Sequence, residues 1–505
     1  MLKSVGVVPR LSVLLVLLAA ALALAGCGGG DGGGGGEAET PAEGAQAAAG
    51  AAIAPAGAAV FVSITTDAES AQWKAAAALL DRFPGRDQLI RSILEDTEAA
   101  GLDWETDIKP ALGPEVDIVV LPTGGEEPAV VGLTQPADAA KLQKLVESGD
   151  EPGALEVVDG WTVVSDSQAS IDTFKAGDDS LADAEAYRTA LESLPAESLV
   201  TVFIDGEKLT ELAGQTAAGA GGSADFTQLF GAFGKLGPIA FALSAQPGGV
   251  FFRGSATQEG GPQLDNFAAD LPSQVPADAV LYLGFANLAE PLDSLLGIAG
   301  EAEPTLDQQL AQAETFLGLS VRDDLLPLFA GEGALVVAPG SPIPAISLIV
   351  EVEDEQKAQQ LLDKLAALAG GFGGGGLPKA TDIDGVAAQE LVLEQFSVFY
   401  AVFDGKLVIT SVRAGISGLV AAVPKLADDP AFAVARKAAG MPEETSGFIY
   451  MNLAEGIGLI EAYARLAGDA VPPEVSANLE PLGSFLAYSA REDGALTFSG
   501  FLSIE

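Results

Sequence analysis

The sequence contains two copies of one unit, and this repetition restricts the chain to folds in which a single architecture is used twice. Residues 101–120 align without gaps with residues 318–337. The matched polar and proline positions are Asp107, Pro110 and Glu115 in the first copy and Asp324, Pro327 and Glu332 in the second. Further matches follow in the same order: Pro55-Ala56 with Pro276-Ala277, Asp159-Gly160 with Asp404-Gly405, Leu236-Gly237 with Leu482-Gly483, and Gly254 with Gly500. Tandem duplication explains this shared order.

The duplication predicts two homologous domains, a first repeat over residues 54–262 and a second repeat over residues 275–505. The separation between matched blocks grows in the middle of the second copy, which indicates an insertion there. Val386–Leu393 and Phe396–Val402 have the composition of strands, whereas the first copy has only Ala154–Val158 at this place. We therefore expect one or two additional strands in the second repeat.

Local patterns in both copies indicate a mixed fold. Gln72–Phe83 and Gln356–Ala369 carry apolar residues at three- and four-residue spacing, which is the helical period. Asp-Gly supplies the positive φ angles of tight hairpins, and five such dipeptides lie beside strand-like runs: Asp159-Gly160, Asp205-Gly206, Asp384-Gly385, Asp404-Gly405 and Asp493-Gly494. Hairpins join antiparallel strands. The predicted class is therefore α+β, with two tandem homologous domains that each contain an antiparallel β-sheet and packed helices.

The N-terminus has the parts of a secretory signal peptide. Lys3 and Arg10 precede Leu11–Ala25, which is apolar apart from Ser12. As a helix this stretch would span about 22 Å at about 1.5 Å per residue, short of the roughly 30 Å of a hydrocarbon core. Leu24-Ala25-Gly26-Cys27 resembles the lipobox of bacterial lipoproteins, which implies that residues 1–26 are cleaved and that Cys27 carries lipid. An ordinary signal peptide with an incidental cysteine is the alternative.

Residues 27–53 are expected to form a flexible tether after the lipidated Cys27, because they consist mainly of Gly, Ala, Glu and Pro. Two acyl chains suffice for stable anchoring, since each buried CH₂ contributes about 0.8 kcal/mol. We therefore expect an extracytoplasmic, membrane-anchored lipoprotein. Its partner would be the membrane through the lipid on Cys27, together with an envelope protein or a lipid ligand.

The composition excludes most catalytic machinery. The chain of 505 residues has no His and one Cys, with 71 acidic and 25 basic side chains. Without His there is no Ser-His-Asp or Cys-His system and no His-ligated zinc. A single thiol excludes an intramolecular disulfide and a thiolate cluster. The net charge of −46 argues against a nucleic acid partner. We expect no catalytic residue, no metal and no cofactor.

The polar residues shared by the two copies are the candidates for a repeated role. Asp107 and Asp324 each lie three residues before a proline, where an aspartate is more often a helix N-cap than a catalyst. Glu115 and Glu332 lie close to glycines and could bind a ligand, but a structural role is favoured.

The lipobox, the Pro-Ala entry into a strand, and the Gly-Leu…Asp-(Ile/Leu)-x-Pro…Glu block resemble a family of bacterial envelope lipoproteins, known only as domain of unknown function 3352. The resemblance extends from about Ala54 to the C-terminus. It implies a secreted, membrane-tethered protein and carries no activity, cofactor or site residues.

Three functions remain as hypotheses. The first is a non-catalytic, lipid-anchored envelope protein that binds a partner protein or envelope component. Its duplicated domains should then present an exposed apolar patch on each repeat. The second is a carrier of lipid or glycolipid, which needs an apolar cavity of at least about 300 Å³. The third is a hydrolase that works without His by using two carboxylates.

Overall fold

The computed structural model describes residues 40–99, 102–125, 127–147, 153–177, 179–219, 234–260, 263–302, 304–372, 377–393, 396–468 and 470–505. The expected signal peptide, Cys27 and the first part of the expected tether lie outside the described residues.

The first repeat contains eight strands of the main sheet and six α-helices among the described residues. The strands are β1 (Val60–Thr65), β2 (Glu115–Leu121), β3 (Ala129–Thr134), β4 (Ala154–Val158), β5 (Trp161–Ser165), β6 (Val200–Asp205), β7 (Lys235–Gln246) and β8 (Gly249–Glu259). The helices are α1 (Ala71–Leu80), α2 (Arg86–Ala99), α3 (Ala139–Glu147), α4 (Gln168–Lys175), α5 (Glu185–Glu192) and α6 (Gly206–Gly219).

The second repeat follows a two-residue strand, β9 (Phe267–Ala268). Its strands are β10 (Leu281–Ala286), β11 (Glu332–Ala338), β12 (Ala345–Glu351), β13 (Lys379–Ile383), β14 (Val386–Val392), β15 (Ser397–Phe403), β16 (Lys406–Thr410), β17 (Glu444–Thr445), β18 (Gly447–Asn452), β19 (Leu482–Glu492) and β20 (Ala495–Ile504). Its helices are α7 (Ala289–Ala302), α8 (Pro304–Leu317), α9 (Glu355–Phe372), α10 (Ala414–Val420), α11 (Pro430–Ala439), α12 (Leu453–Ala467) and α13 (Pro473–Leu479).

Both repeats belong to one continuous antiparallel sheet of 18 strands, while β9 and β17 pair separately. The pairings give the order β4-β5-β3-β2-β1-β6-β7-β8 in the first repeat. They continue as β20-β19-β18-β10-β11-β12-β16-β15-β14-β13 in the second. The fold is therefore α+β. The second repeat has two additional strands, β13 and β14; the sequence predicts β14 at Val386–Leu393, whereas Phe396–Val402 forms β15, the counterpart of β4, and β13 was not predicted.

The two repeats join where β8 pairs with β20, which are the last strands of the two copies. Arg253 lies opposite Ser499, and Phe252 and Gly254 lie opposite Gly500 and Phe498. Because equivalent strands pair antiparallel, the junction has the self-complementary geometry of a two-fold interface within one chain. It also leaves neither of these strands as an exposed sheet edge.

Paired glycines allow aromatic rings to cover this junction. A methyl group on Gly254 would overlap the Phe498 ring and lie 2.6 Å from the carbonyl oxygen of Ala240. A methyl group on Gly500 would lie 2.5 Å from Cζ of Phe252 and 2.7 Å from the carbonyl oxygen of Leu486. Each repeat therefore supplies a glycine that is covered by the equivalent phenylalanine of the other repeat.

Each repeat packs a trio of aromatic rings under its central strands. In the first repeat the ring of Tyr187 lies 5.9 Å from Phe61 and 5.1 Å from Phe203. In the second repeat Phe432 lies 4.9 Å from Tyr450, and Tyr282 belongs to the same core. These rings lie between the sheet and helix α5 or α11, so the two cores are built in the same way.

Residues 40–53 do not belong to a tether, which corrects the expectation from composition. The backbone N–H of Gly44 donates to the carbonyl oxygen of Leu194 at 2.9 Å. A short 3-10 helix, Ala49–Ala52, buries Gly50 and Ala51. Glycine and alanine are abundant in linkers, but their small size also allows a segment to pack closely against a strand.

This N-terminal segment crosses the junction between the repeats. The hydroxyl of Thr40 donates to the carbonyl oxygen of Lys437 in the second repeat, at 3.2 Å. Glu43 forms a 2.9 Å ion pair with Arg253 on β8. The segment therefore contacts both repeats before the first repeat begins.

The Asp-Gly prediction holds for four of the five dipeptides. Asp159, Asp384, Asp404 and Asp493 have φ angles of 48–52°, and each connects two paired strands with its following glycine. Asp205-Gly206 instead ends β6 and begins α6. Its carboxylate accepts the backbone N–H of Lys208 at 3.1 Å, so the dipeptide caps a helix and makes no hairpin.

Gly254→Ala and Gly500→Ala should each lower the free energy of unfolding by about 1–3 kcal/mol, because the added methyl overpacks the junction. Urea unfolding of the two variants measures this effect. Gly57→Ala is the control, since a methyl there meets no atom within 4 Å, and its change should stay within about 0.5 kcal/mol. Wild-type stability of both junction variants would contradict the proposed packing.

Candidate functional site

The duplicated aspartates stabilise equivalent turns. Asp107 accepts the backbone N–H of Asp103 at 3.1 Å, and Asp324 accepts that of Ser320 at 2.9 Å. The N-caps themselves are Asp103 and Ser320, whose side chains accept backbone N–H groups of the following turn. The expected N-cap role of Asp107 and Asp324 is therefore corrected. Their carboxylates accept the backbone N–H of the N-cap residue, which is the reciprocal hydrogen bond of a capping box.

Asp107 has additional partners in the first repeat. Lys141 and Lys144 of α3 lie 3.1 and 3.6 Å from its carboxylate. The backbone N–H of Asp103 and the ammonium of Lys141 hold the pKa of Asp107 below its usual value. Asp107 is therefore a charged group that connects a turn to a helix.

The duplicated prolines and glutamates also have structural contacts. Pro110 and Pro327 lie in the first turn of short 3-10 helices, where a proline loses no hydrogen bond. Glu115 accepts the backbone N–H of Gly50 at 2.9 Å. Glu332 accepts those of Asp270 and Leu271 at 2.8 and 3.0 Å. Both glutamates thus hold the 3-10 helix that enters their repeat.

Burial changes the ionisation of Glu332. Its side chain is buried, and this burial raises its pKa to about 7 although the two backbone N–H groups favour the charged form. Its two hydrogen bonds from backbone N–H groups favour the charged carboxylate and so oppose the effect of burial.

Asp117 on β2 is a buried carboxylate that the sequence analysis did not identify. It is 0% exposed and lies opposite Ser63 on β1, against Gly50 of the N-terminal segment. Neither oxygen has a hydrogen-bond partner of ordinary geometry. Burial and the nearby Glu115 carboxylate raise its pKa to about 8. The equivalent residue of the second repeat is Ala334, so the fold does not require a carboxylate here.

A contiguous apolar surface of the sheet is exposed on the second repeat. Leu283 on β10 and Leu335 on β11 pair directly and are each 36% exposed, and Ile346 on β12 is 48% exposed. Val337 pairs with Ile346, and Leu348 pairs with Leu335. We call these five residues the open apolar face.

The first helix of each repeat packs in a different place. In the first repeat α1 packs on β7, where Trp73 is 1% exposed. In the second repeat the equivalent helix α7 packs on α8 and on the 3-10 helix Leu326–Phe329 instead. On β10–β12 the exposed side chains of the open apolar face, Leu283, Leu335 and Ile346, are more exposed than their counterparts on β1–β3.

The exposed patch is not repeated, which contradicts the expectation of one patch on each domain. The counterparts of Leu283, Leu335 and Ile346 are Val62, Ile118 and Val130. Ile118 is buried and the two valines are half-buried. The two repeats therefore offer different surfaces.

Helix α12 lies beside this face and adds apolar surface. It packs on β18 and β19, and the hydroxyl of Tyr463 donates to the carbonyl oxygen of Gly340 at 2.6 Å. Ile460 and Leu466 on the same helix are 65% and 78% exposed. An apolar ligand could therefore contact both the sheet and this helix.

Two open depressions are also present. One, of about 400 Å³, lies between the α1–α2 turn and α13 and is lined mainly by Leu80, Phe83 and Leu89. The other, of about 460 Å³, includes Lys208 and Glu211 and is more polar.

Among the described residues there is no group of three or more Asp, Glu or Cys side chains placed to hold a metal ion. None of the helices described is both long and apolar enough to span a membrane.

Comparison with known proteins assigns the chain to a family. Residues 137–503 match the model of a family described as "Protein of unknown function (DUF3352)". The chain belongs to this family. The match begins later than the resemblance that the sequence predicts from about Ala54. No curated protein matches the chain significantly.

A solved structure, "Structure of crystal form III of TP0453", is similar to part of this DUF3352 chain. The sequences are 10% identical, and the similarity covers 42% of this chain and 80% of the other, with a TM-score of 0.23. A similarity this weak does not establish a shared fold.

Asp117→Asn should make the free energy of unfolding less dependent on pH. Because the pKa of Asp117 is raised from 3.8 to about 8, the folded state keeps a proton that the unfolded state releases. Stability is therefore complete below about pH 4 and falls as pH rises to about 8, by up to about 1.4 kcal/mol per pH unit.

The Asn variant should lose this contribution and keep the smaller one from Glu332. Urea unfolding at about pH 4, 6 and 8 measures the two slopes. Asp117→Ala, which introduces the residue of the second repeat, is the matched comparison. Parallel loss of stability in wild type and both variants would show that Asp117 is not the titrating group.

Proposed function

We propose that the protein is a non-catalytic, lipid-anchored envelope protein that binds a partner protein or another envelope component through the open apolar face. The supporting observation is the exposure of Leu283, Leu335 and Ile346 on adjacent strands. Contiguous apolar surface of this kind marks interaction sites more often than isolated exposed residues do.

The duplicated polar residues favour a non-catalytic role. Asp107, Asp324, Glu115 and Glu332 each accept backbone N–H groups of their own repeat. The carboxylate pair of Glu115 and Asp117 is an unsuitable hydrolytic centre, since Asp117 is fully buried beneath the N-terminal segment. A substrate bond would need access to both carboxylates.

The lipid anchor rests on the sequence around Cys27 and on the family resemblance. Thr40 contacts the second repeat and Glu43 contacts β8. The chain that follows an anchor at Cys27 would therefore join the folded body near the β8–β20 junction. The net charge of −46 would repel the body from anionic headgroups, so the lipid would supply the attraction.

A carrier of lipid or glycolipid is the second candidate. The depression of about 400 Å³ lined by Leu80, Phe83 and Leu89 favours it, because this volume exceeds the roughly 300 Å³ of a small ligand pocket. Its openness to solvent makes it less suited to a whole acyl chain than an enclosed cavity. We therefore place partner binding first.

A photo-reactive amino acid at position 346 of the membrane-anchored protein should give a specific adduct in intact cells. The same probe at Val434 is the control, because Val434 is 66% exposed on α11, which packs on the other face of the sheet. Leu335→Glu should abolish the adduct by placing a charge on the face.

The nature of the adduct separates the two candidates. A protein or cell-wall component supports the proposal, whereas a lipid supports the carrier. The same adducts from positions 346 and 434, or none from 346, would remove the open apolar face as the binding surface.

Cys27→Ser should abolish incorporation of labelled palmitate and leave the precursor uncleaved, because the thiol is the attachment atom. Metabolic labelling followed by gel electrophoresis measures both effects. Gly28→Ala keeps the thiol and should retain the label. Label that persists after Cys27→Ser would contradict the anchor.

A further inference from the structure

The continuous sheet ends at two edge strands, β4 in the first repeat and β13 in the second. Among the described residues β4 pairs with β5, and β13 pairs with β14. An edge strand presents unpaired backbone groups that can bind another strand. The two edges are therefore the places where the sheet could be extended.

The second repeat shows how the position beside β4 can be filled. Strand β4 precedes the Asp159-Gly160 hairpin, and its equivalent β15 precedes the matching Asp404-Gly405 hairpin. The outer side of β15 is occupied by β14, which pairs with it antiparallel. The inserted hairpin β13–β14 therefore covers an edge that the described part of the first repeat leaves open.

The edge at β13 carries features that discourage further pairing. Lys379 and Asp382 on this strand are exposed. The guanidinium of Arg413 donates to the hydroxyl of Thr381 at 2.9 Å and to the carbonyl oxygen of Asp382 at 3.5 Å. Charged side chains at an edge oppose the addition of a strand.

The edge at β4 has fewer of these features, with Glu156 as its one charged side chain. Its sequence, Ala154-Leu155-Glu156-Val157-Val158, contains no Lys and no Pro. Val157 is 66% exposed, while the carboxylate of Glu156 is held by Lys175 and Gln168 of α4. An exposed β-branched residue on an edge favours strand pairing.

We propose that the outer edge of β4 binds an extended peptide segment of a partner protein, which adds as an antiparallel strand at the position that β14 occupies in the second repeat. The part of β14 that pairs with β15 is residues 389–392, in which Leu391 is buried, so the segment would carry an apolar residue on the buried side. Main-chain hydrogen bonds would give affinity, and side chains would give specificity.

Charge indicates basic flanks for this segment. The chain carries a net charge of −46, and Asp159 beside β4 is exposed. A second copy of this chain would bring two highly acidic bodies together, which like-charge repulsion opposes. A segment flanked by Lys or Arg is favoured. This inference goes beyond the proposed function, because it holds whether or not the open apolar face binds a partner.

A fluorescent peptide with the β14 sequence VAAQELV between pairs of lysines is the probe, and fluorescence anisotropy with the full mature chain in detergent is the measurement. Binding is expected for wild type. Val157→Lys should weaken it about tenfold or more, while Val157→Thr should bind nearly as wild type because it keeps the β-branch. Amides of residues 154–158 should gain protection from hydrogen exchange when the peptide is bound.

The controls separate this site from other surfaces. Val157→Lys should unfold at the wild-type urea concentration, since the side chain is largely exposed. Ile346→Glu should leave peptide binding unchanged, so a failure at the open apolar face does not affect this test. Absence of binding to wild type, or equal binding to Val157→Lys, would overturn the proposal. Self-association abolished by Val157→Lys would also overturn it, in favour of a second copy as the occupant.

Discussion

The antiparallel pairing of β8 with β20 is the interaction on which the architecture depends, because it converts two sheets into one. Phe252 covers Gly500, and Phe498 covers Gly254, so each repeat completes the packing of the other. The ion pair of Glu43 with Arg253 adds the N-terminal segment to the same place. The register of the β8–β20 pair thus positions both repeats and the N-terminal segment. It also leaves β4 and β13 as the edges of the sheet.

The two buried carboxylates differ in whether the surrounding fold stabilises their charge. Glu332 is buried but accepts two backbone N–H groups, which offset much of the cost of desolvation. Asp117 has no such partners and is therefore destabilising when charged. Ala334 at the equivalent position shows that the same strand folds without it. Asp117 belongs to the contact between the first repeat and the N-terminal segment, through Gly50.

The duplication, the α+β class and the inserted strand β14 could be predicted because they depend on sequence matches and local periodicity, whereas strand β13 was not predicted. The helix cap at Asp205-Gly206 could not be predicted, because the same dipeptide can either turn two strands or cap a helix, and the following residues decide. The packing of residues 40–53 could not be predicted either, because composition does not distinguish a linker from a closely packed segment. The open apolar face could not be predicted, since strand alternation does not indicate whether a helix covers that side.

The differences between the copies carry more functional information than their similarities. The shared residues Asp107 and Glu115 accept backbone N–H groups at positions that their counterparts also bind, so they are explained by the fold. The copies differ at two places. Within the described residues the first repeat leaves the outer side of β4 unpaired, whereas the second covers the equivalent edge with β13–β14. The second repeat exposes apolar side chains on β10–β12 whose counterparts on β1–β3 are more buried. One backbone architecture thus presents an edge in one repeat and a face in the other. Because backbone edges and apolar faces recognise different ligands, the duplication favours two distinct binding surfaces over two copies of the same one.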